Sequence, residues 1–233
     1  MDDIEIATLD ELEATHWWYR ARKWYLTKWV SKFPLDARIL DLGSASGGNT
    51  IFVQSLGYSV VSVEYSKLGV GLQLKKGINA IRADARNLPF ESGSFDGVYC
   101  LDVLEHIEED VAVLGEIQRI LKPGGVALLS VPQDPQMWSE HDTAVNHVRR
   151  YKKRELECKS IDAGLICLNR FSSVVTLKPA IKFARKFTKG SNLKPVSKAY
   201  DWLFYLFCLV DRLPVFRSCF GTTGWLVVNK PNS

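Results

Sequence analysis

The sequence predicts an α/β fold built around a mostly parallel sheet, and two patterns carry that prediction. From Arg38 onward, short apolar and β-branched runs (RILDL, YSVVSVE, INAIRAD, SFDGVYC, GVALLSVP) alternate with segments of helix length, the pattern of successive βαβ units. The first run leads straight into a glycine-rich turn, ILDLGSASGG, from Ile39 to Gly48. A turn of that kind brings a helix N-terminus and its free N–H groups up to a ligand.

The elements follow in order. Thr8-Leu-Asp-Glu11 has the form of a capping box, and no Gly or Pro follows until Pro34, so one N-terminal helix is predicted, carrying HWWYRARKWY. Ahead of GVALLSVP, Val111, Leu114, Ile117 and Leu121 share a helix face, and KPGG closes it. After Pro132, QDPQMWSEHDTAVNHVRRY has turn residues and no period, and reads as a loop over the sheet edge. A helix is expected over Lys152–Ala163, stopped by Gly164, then a strand over Leu165–Phe171. A basic segment, an apolar helix at WLFYLFCLV and a closing strand at TGWLVVNK complete the chain.

With 233 residues, 46% hydrophobic and 24% charged, the composition is that of an ordinary globular chain. A net charge of +4 does not by itself argue for nucleic acid. The charge is unevenly spread: between Asp162 and Asp201 there is no acidic residue, while Arg170, Lys178, Lys182, Arg185, Lys186, Lys189, Lys194 and Lys198 are basic. No aromatic stacking platform accompanies them, so a nucleic-acid partner is not expected. The five cysteines lack CxxC or Cys/His metal spacing, and are expected to be reduced thiols in a cytoplasmic protein with no bound metal. The acidic start lacks the pattern of a signal peptide, and WLFYLFCLV is far shorter than the ~20 residues of a spanning helix. Residues 178–210 can form a peripheral membrane contact, a dimer face or a cover for the sheet edge.

The glycine-rich turn has two readings. As Gly43-x-Ala45-x-x-Gly48 it is a dinucleotide fingerprint that has lost its middle glycine; as Asp41-x-Gly43-x-Ala45-x-Gly47 it is a different loop with a carboxylate in front. A diphosphate is disfavoured by Ala45, where the backbone would have to approach it, and by Asp41. A phosphate-free ligand carrying an ammonium group suits both. Glu64, at the end of the second strand, can accept two ribose hydroxyls.

The ordered series ILDLGSASGG, VVSVEYS, RADARNLPFESGSFDGVYCLDVLEHI and LKPGGVALLSVP resembles the class I S-adenosylmethionine-dependent methyltransferases of the small-molecule group. The resemblance covers roughly Arg38 to Pro132. It implies a Rossmann-like seven-stranded sheet with helices on both faces and the last strand antiparallel. It also implies S-adenosylmethionine as cofactor, with Asp41 and the Gly43, Ser44, Ala45 and Gly47 loop around its methionine moiety. Glu64 would hold the ribose, Tyr65 would lie against the adenine, and Asp84 and Ala85 would meet the adenine amino group. Cys100 and Leu101 would line the sulfonium with main chain. Residues 1–35 would be a lid helix, 36–132 the cofactor-binding core, and 133–233 the substrate loop, the basic and aromatic helices and the closing strands of one domain.

Methyl transfer from a sulfonium is an in-line displacement, so alignment and exclusion of water are its main requirements. A hydroxyl acceptor can also need a base; an unperturbed histidine titrates near ~6.5, which makes His106, His141 and His147 the candidates. In the polar loop, Arg149, Arg150 and Tyr151 are read as substrate-binding, because guanidinium forks recognise carboxylates and phosphates. HWWYRARK and HxRRY also resemble a subset of these methyltransferases linked to polysaccharide and cell-envelope sugar synthesis. In it, Trp17, Trp18 and Tyr19 would shield the sulfonium, with Trp17 at the substrate and Arg20 or Arg22 near the methionine carboxylate. The expected acceptor is a sugar-containing or small anionic molecule, or a lipid-linked glycan, methylated on oxygen. An NAD-dependent nucleotide-sugar oxidoreductase or epimerase, and a non-catalytic methyltransferase-like binding subunit, are the competing readings.

Overall fold

Most apolar runs of the sequence become strands of one sheet that are buried on both faces, which is why they read as near-continuous rather than alternating; the run at Ala80–Arg82 stays half-exposed at the sheet edge. The computed structural model describes residues 3–13, 16–185, 187, 190, 197–216 and 219–232; Lys186, Lys189 and Lys194 of the basic segment lie outside them. Its strands are β1 (Arg38–Leu42), β2 (Ser59–Glu64), β3 (Ala80–Arg82), β4 (Phe95–Leu101), β5 (Leu121–Pro132), β6 (Ile166–Ser173) and β7 (Thr223–Asn229). They lie in the order β3-β2-β1-β4-β5-β7-β6, and β7 runs antiparallel to both of its neighbours. The seven-stranded, mostly parallel sheet with an antiparallel last strand is therefore present. Strand order reverses between β1 and β4, which opens a crevice at their carboxyl ends.

Helices fill both faces. α1 (Asp3–Leu12) and α2 (Trp17–Val30) precede the sheet, α3 (Gly48–Ser55) and α4 (Lys67–Lys75) link the first three strands, and α5 (Asp110–Ile120) links β4 to β5. On one face Val113, Leu114, Ile117 and Ile120 of α5 pack on Leu40, Leu42, Val98 and Leu129. On the other, Tyr25, Leu26, Trp29 and Val30 of α2 pack on Ile39, Tyr99 and Leu128, with Val53 of α3 beside them. α6 (Glu140–Ala144) and α7 (Glu155–Asp162) follow β5, and α8 (Lys178–Ala184) and α9 (Lys198–Val210) lie between β6 and β7.

Three local expectations change. The single N-terminal helix is two, because the His16 side chain caps α2 by accepting the Trp18 N–H at 3.3 Å; Thr8 lies inside α1 rather than at its start. KPGG belongs to the entry of β5, where the pairing with β4 shifts register between Phe95 and Gly97, rather than to the end of α5. The polar stretch after Pro132 contains α6, started by a capping box of Ser139 and Asp142.

That polar stretch is also clamped to the core. Tyr151 is fully buried and donates its hydroxyl to Asp110 Oδ2 at 2.6 Å, and Lys159 Nζ and Arg149 Nη1 reach the same oxygen at 2.6 and 3.0 Å. Tyr151 thus holds α5 to the loop instead of facing a substrate.

Candidate active site

A cleft of about 530 Å³ opens where the strand order reverses, a size that suits a nucleoside-containing ligand. Its walls come from the turns after β1, β2 and β3 and from the segment after β4. Gly43, Ala45, Glu64, Tyr65, Asp84, Ala85 and His106, all picked out in the sequence, line it together with Asp102 and Val103.

The turn after β1 is tightly determined. Gly43 has φ +77° and its Cα faces the Val103 side chain, which any Cβ would strike. Ala45 sits at φ +48°, a left-handed conformation that costs an L-residue about 1 kcal/mol. Two hydrogen bonds hold it there: its N–H donates to Glu64 Oε2 at 2.8 Å, and its carbonyl accepts from Gln73 Nε2 at 2.9 Å. Its methyl group packs with Leu12, Trp18 and Tyr19 of the N-terminal helices. Ser44 donates to the Val63 carbonyl and accepts from Ser62 and Gln73, so its hydroxyl ties the turn to β2. Gly47, at φ +88°, starts α3 against Ile78 and Gln73. Ser44 and Gly47 shape the loop without lining the cleft.

Asp41 departs from expectation. It is 2% exposed, accepts from Thr50 Oγ1 at 2.6 Å, and does not line the cleft. Burial pushes its carboxyl up to about 7, against the pull of the Thr50 hydrogen bond. A carboxylate unforeseen in the sequence stands nearby: Glu13, just past α1, accepts from Ser46 Oγ at 2.6 Å and lies against Gly48, with burial raising its pKa.

The far end of the cleft is acidic. Glu64 also accepts the Ser66 N–H on Oε1 at 2.7 Å, so each of its oxygens keeps a lone pair for a ribose hydroxyl. Tyr65 is 66% exposed on the rim, where its ring can meet an adenine. Asp84 is forked by Arg86, which also reaches Glu109 at 2.8 Å. Cys100 and Leu101 are buried in the two cores on either side of the sheet, and Asp102 and Val103 form the wall in their place. Asp102 pairs with Arg22, whose guanidinium lies 3.8 Å over the Trp18 ring. Glu64, Asp84, Asp102, Glu108 and Glu109 thus face the cleft against one lining arginine, Arg86. The only hint of Asp102 in the sequence is its place directly after β4; Glu13 left no signal.

The N-terminal aromatic and basic residues lie in different places. Tyr19 is buried over the loop beside Ala45. Trp17 instead packs edge-on against Phe204 of α9 at 5.7 Å, among Val174, Leu177 and Cys208, away from the lining residues. Arg20 pairs with Asp201 and stacks over Tyr205.

Three histidines come together, His106 from the segment after β4 joining the His141 and His147 pair of the polar stretch. His106 and His147 rings lie 4.9 Å apart and His141 lies 6.2 Å from His147. Burial lowers His106 and His141 to about 3, so these rings are neutral and weakly basic rather than poised near neutrality. Arg150 is buried, with Nε on Asp142 at 2.7 Å and Nη1 on the Gln133 carbonyl at 3.0 Å. Arg149 is held by Asp110 and the Glu108 carbonyl. Both forks are occupied inside the protein, which removes them as anion receptors.

Comparison with known proteins agrees with this geometry. A methyltransferase-domain family model matches residues 40–129. A Mycobacterium tuberculosis protein named "Probable S-adenosylmethionine-dependent methyltransferase" is 24% identical over 68% of this chain and 59% of its own length, so the match spans less than two thirds of that relative. A ubiquinone biosynthesis O-methyltransferase of Xanthomonas oryzae pv. oryzae is 32% identical over 40% of this chain and 42% of its own. Among solved structures, phosphoethanolamine N-methyltransferase 2 of Haemonchus contortus with S-adenosyl-L-methionine shares the fold. Its TM-score is 0.69 at 19% identity, covering 99% of this chain and 57% of that one.

The raised pKa of Asp41 has a testable sign. Between its unfolded value near ~4 and its folded value of about 7, the folded chain keeps a proton that the unfolded chain has released, so stability falls as pH rises through that window. Urea denaturation at several pH values should show wild type losing stability relative to Asp41→Asn between about pH 4 and pH 7, by a few kcal/mol at most. A constant difference would place Asp41 outside this account.

Proposed function

We propose that this chain, whose residues 40–129 are a methyltransferase domain of the class I, S-adenosylmethionine-dependent kind, transfers the cofactor's methyl group to a hydroxyl oxygen of a small sugar-containing acceptor. The observation that carries the reading is the acidic cleft at the carboxyl ends of β1, β2 and β4, with Glu64, Tyr65 and Asp84 around one half of it. Such a lining fits a cofactor with a sulfonium and an ammonium group. It disfavours the diphosphate of NAD, which would meet five carboxylates and one arginine.

The cofactor supplies an electrophilic methyl group; the rest of the chemistry is alignment by this chain's residues. Glu64 holds the ribose hydroxyls, Tyr65 covers the adenine, and Asp84 accepts from the adenine amino group beside the Ala85 backbone. Asp102 faces the positive charge, and Arg22 fixes Asp102. Tyr19 and Trp18 close the loop from above and limit water entry. His106 and His147 bound the acceptor end. The bound cofactor would supply the methyl carbon and keep the electron pair of its broken carbon–sulfur bond, while the acceptor oxygen would gain the methyl group and release its proton to solvent.

An oxygen acceptor agrees with the name of the Xanthomonas relative. With Arg149 and Arg150 committed elsewhere, an uncharged sugar hydroxyl is favoured over an anionic group. A lipid-linked sugar is supported by the far end of the chain. Phe183, Phe187, Tyr200 and Trp202 are exposed on α8, α9 and the segment between them, near Lys178 and Lys182. Among the described residues no helix is long and apolar enough to cross a membrane, so the contact proposed is peripheral.

Calorimetry checks the cofactor. The chain binds S-adenosylmethionine and S-adenosylhomocysteine but not NAD, and Glu64→Gln weakens S-adenosylhomocysteine at least ~10-fold, the loss of about one charge-assisted hydrogen bond; undetectable binding by wild type overturns the reading. Flotation with anionic liposomes at low salt checks the surface: Trp202→Ser with Phe183→Ser should reduce co-flotation, and wild type that stays at the bottom of the gradient rules out a membrane contact.

A further inference from the structure

We propose that Glu105, His106 and His147 form a site for one divalent cation of the zinc type at the acceptor end of the cleft. The proposal deepens the methyltransferase reading and rests on it for the ion's role, while the site itself stands on the geometry of these three side chains.

Glu105 is the starting observation. Its side chain is 1% exposed, and neither carboxylate oxygen has a hydrogen-bond partner. A buried carboxylate in that state is expensive, and protonating it would only add an unpaired O–H. A cation between Glu105 and its neighbours satisfies it. One facing group is His147 Nε2, 3.8 Å from Glu105 Oε1. That is too long for a hydrogen bond, yet close to the roughly 3.4 Å that separates two ligands of a tetrahedral ion with bonds near 2.1 Å.

Both imidazoles are oriented as metal ligands are. His147 Nδ1 lies 3.0 Å from Asp142 Oδ1, and His106 Nδ1 lies 3.3 Å from the Asn146 carbonyl. A carbonyl and a carboxylate only accept, so each ring carries its proton on Nδ1 and presents a lone pair on Nε2. Metal-bound histidines are held in this way by a carboxylate or carbonyl behind the ring. One ligand atom from each of Glu105, His106 and His147 lies within 4.8 Å of the others, so a closure of about an ångström brings them to bonding geometry.

The support behind the ligands is built in. Glu105 and His106 belong to the 3₁₀ turn Leu104–His106, while His147 follows α6. The Val148 N–H donates to the Glu105 carbonyl at 2.8 Å and locks the two segments together. Asp142 is fixed by Arg150 Nε at 2.7 Å and by the Ser139 N–H at 3.0 Å. The buried Arg150, read in the sequence as a substrate ligand, therefore acts as the support for a histidine. Two imidazoles and one carboxylate leave further coordination positions, and His106 opens them to the cleft beside Asp102 and Val103. Water or the acceptor hydroxyl would complete the shell, and the ion would fix the acceptor oxygen.

The test uses the full chain freed of metal with a chelator and then dialysed. Titration calorimetry with Zn²⁺ alone should give one saturable site per chain. Glu105→Gln and His147→Gln should each weaken it at least 100-fold while S-adenosylhomocysteine affinity stays within twofold of wild type. Thermal melts add a second readout: Zn²⁺ raises the midpoint of wild type and not of Glu105→Gln, whose metal-free midpoint is no lower than that of wild type. Absence of a stoichiometric site, or unchanged Zn²⁺ affinity in Glu105→Gln, overturns the proposal. Loss of S-adenosylhomocysteine binding by wild type would instead count against the methyltransferase reading and leave the cation site standing.

Discussion

The site depends first on what the Glu64 carboxylate does. It takes the N–H of Ala45 on one oxygen and the N–H of Ser66 on the other, at 2.8 and 2.7 Å, and so ties the turn after β1 to the turn after β2. Burial raises its pKa, against which the Ser66 and Ala45 N–H groups work. Without that bridge Ala45 would keep the Gln73 hydrogen bond and its packing against Leu12 and Tyr19, and lose the hydrogen bond from its own N–H. The cleft follows from the topology, because β1 and β4 send their chains away in opposite directions; its shape follows from Glu64.

Electrostatics then give the cleft its acidic character. Carboxylates from the turns after β2 and β3 and from the segment after β4 converge on it, and the nearby cations are already engaged: Arg86 by Asp84 and Glu109, Arg22 by Asp102. The N-terminal helices are joined to this arrangement through Glu13 on Ser46, Asp10 on Lys76, which also donates to the Ser46 carbonyl, Arg22 on Asp102, and the Ala45 methyl group against Leu12 and Tyr19. Ala45 is therefore part of the contact between the N-terminal helices and the loop. A glycine there would relax the backbone and lose that packing, two effects of similar size and opposite sign.

The sheet and half of the cleft were legible in the sequence because both depend on local order. Strand runs, the glycine turn and strand-terminal acids announce backbone positions, and Glu64, Tyr65, Asp84 and Ala85 fall where their motifs put them. Motif spacing does not report which way a side chain points, so Asp41, one residue before the end of β1, was read into the cleft although it is buried on Thr50. Nor does it report long-range pairs. The HDTAVNHVRRY stretch offered histidines, arginines and a tyrosine, but their partners Asp110 and Glu105 come from the other side of β5 in sequence. The same limit hid the metal-ligand geometry: His106 and His147 are far apart in the chain, and no short motif joins them. The helix break at His16 was missed because a histidine cap carries neither Gly nor Pro.

The most direct test of the central claim is a crystal structure of the chain with S-adenosylhomocysteine. The account predicts both ribose hydroxyls on the Glu64 carboxylate, which keeps its bonds to Ala45 and Ser66, with the adenine between Tyr65 and Asp84. A ligand bound elsewhere, or a Glu64 that has turned away from the loop to leave Ala45 unsupported, would contradict it.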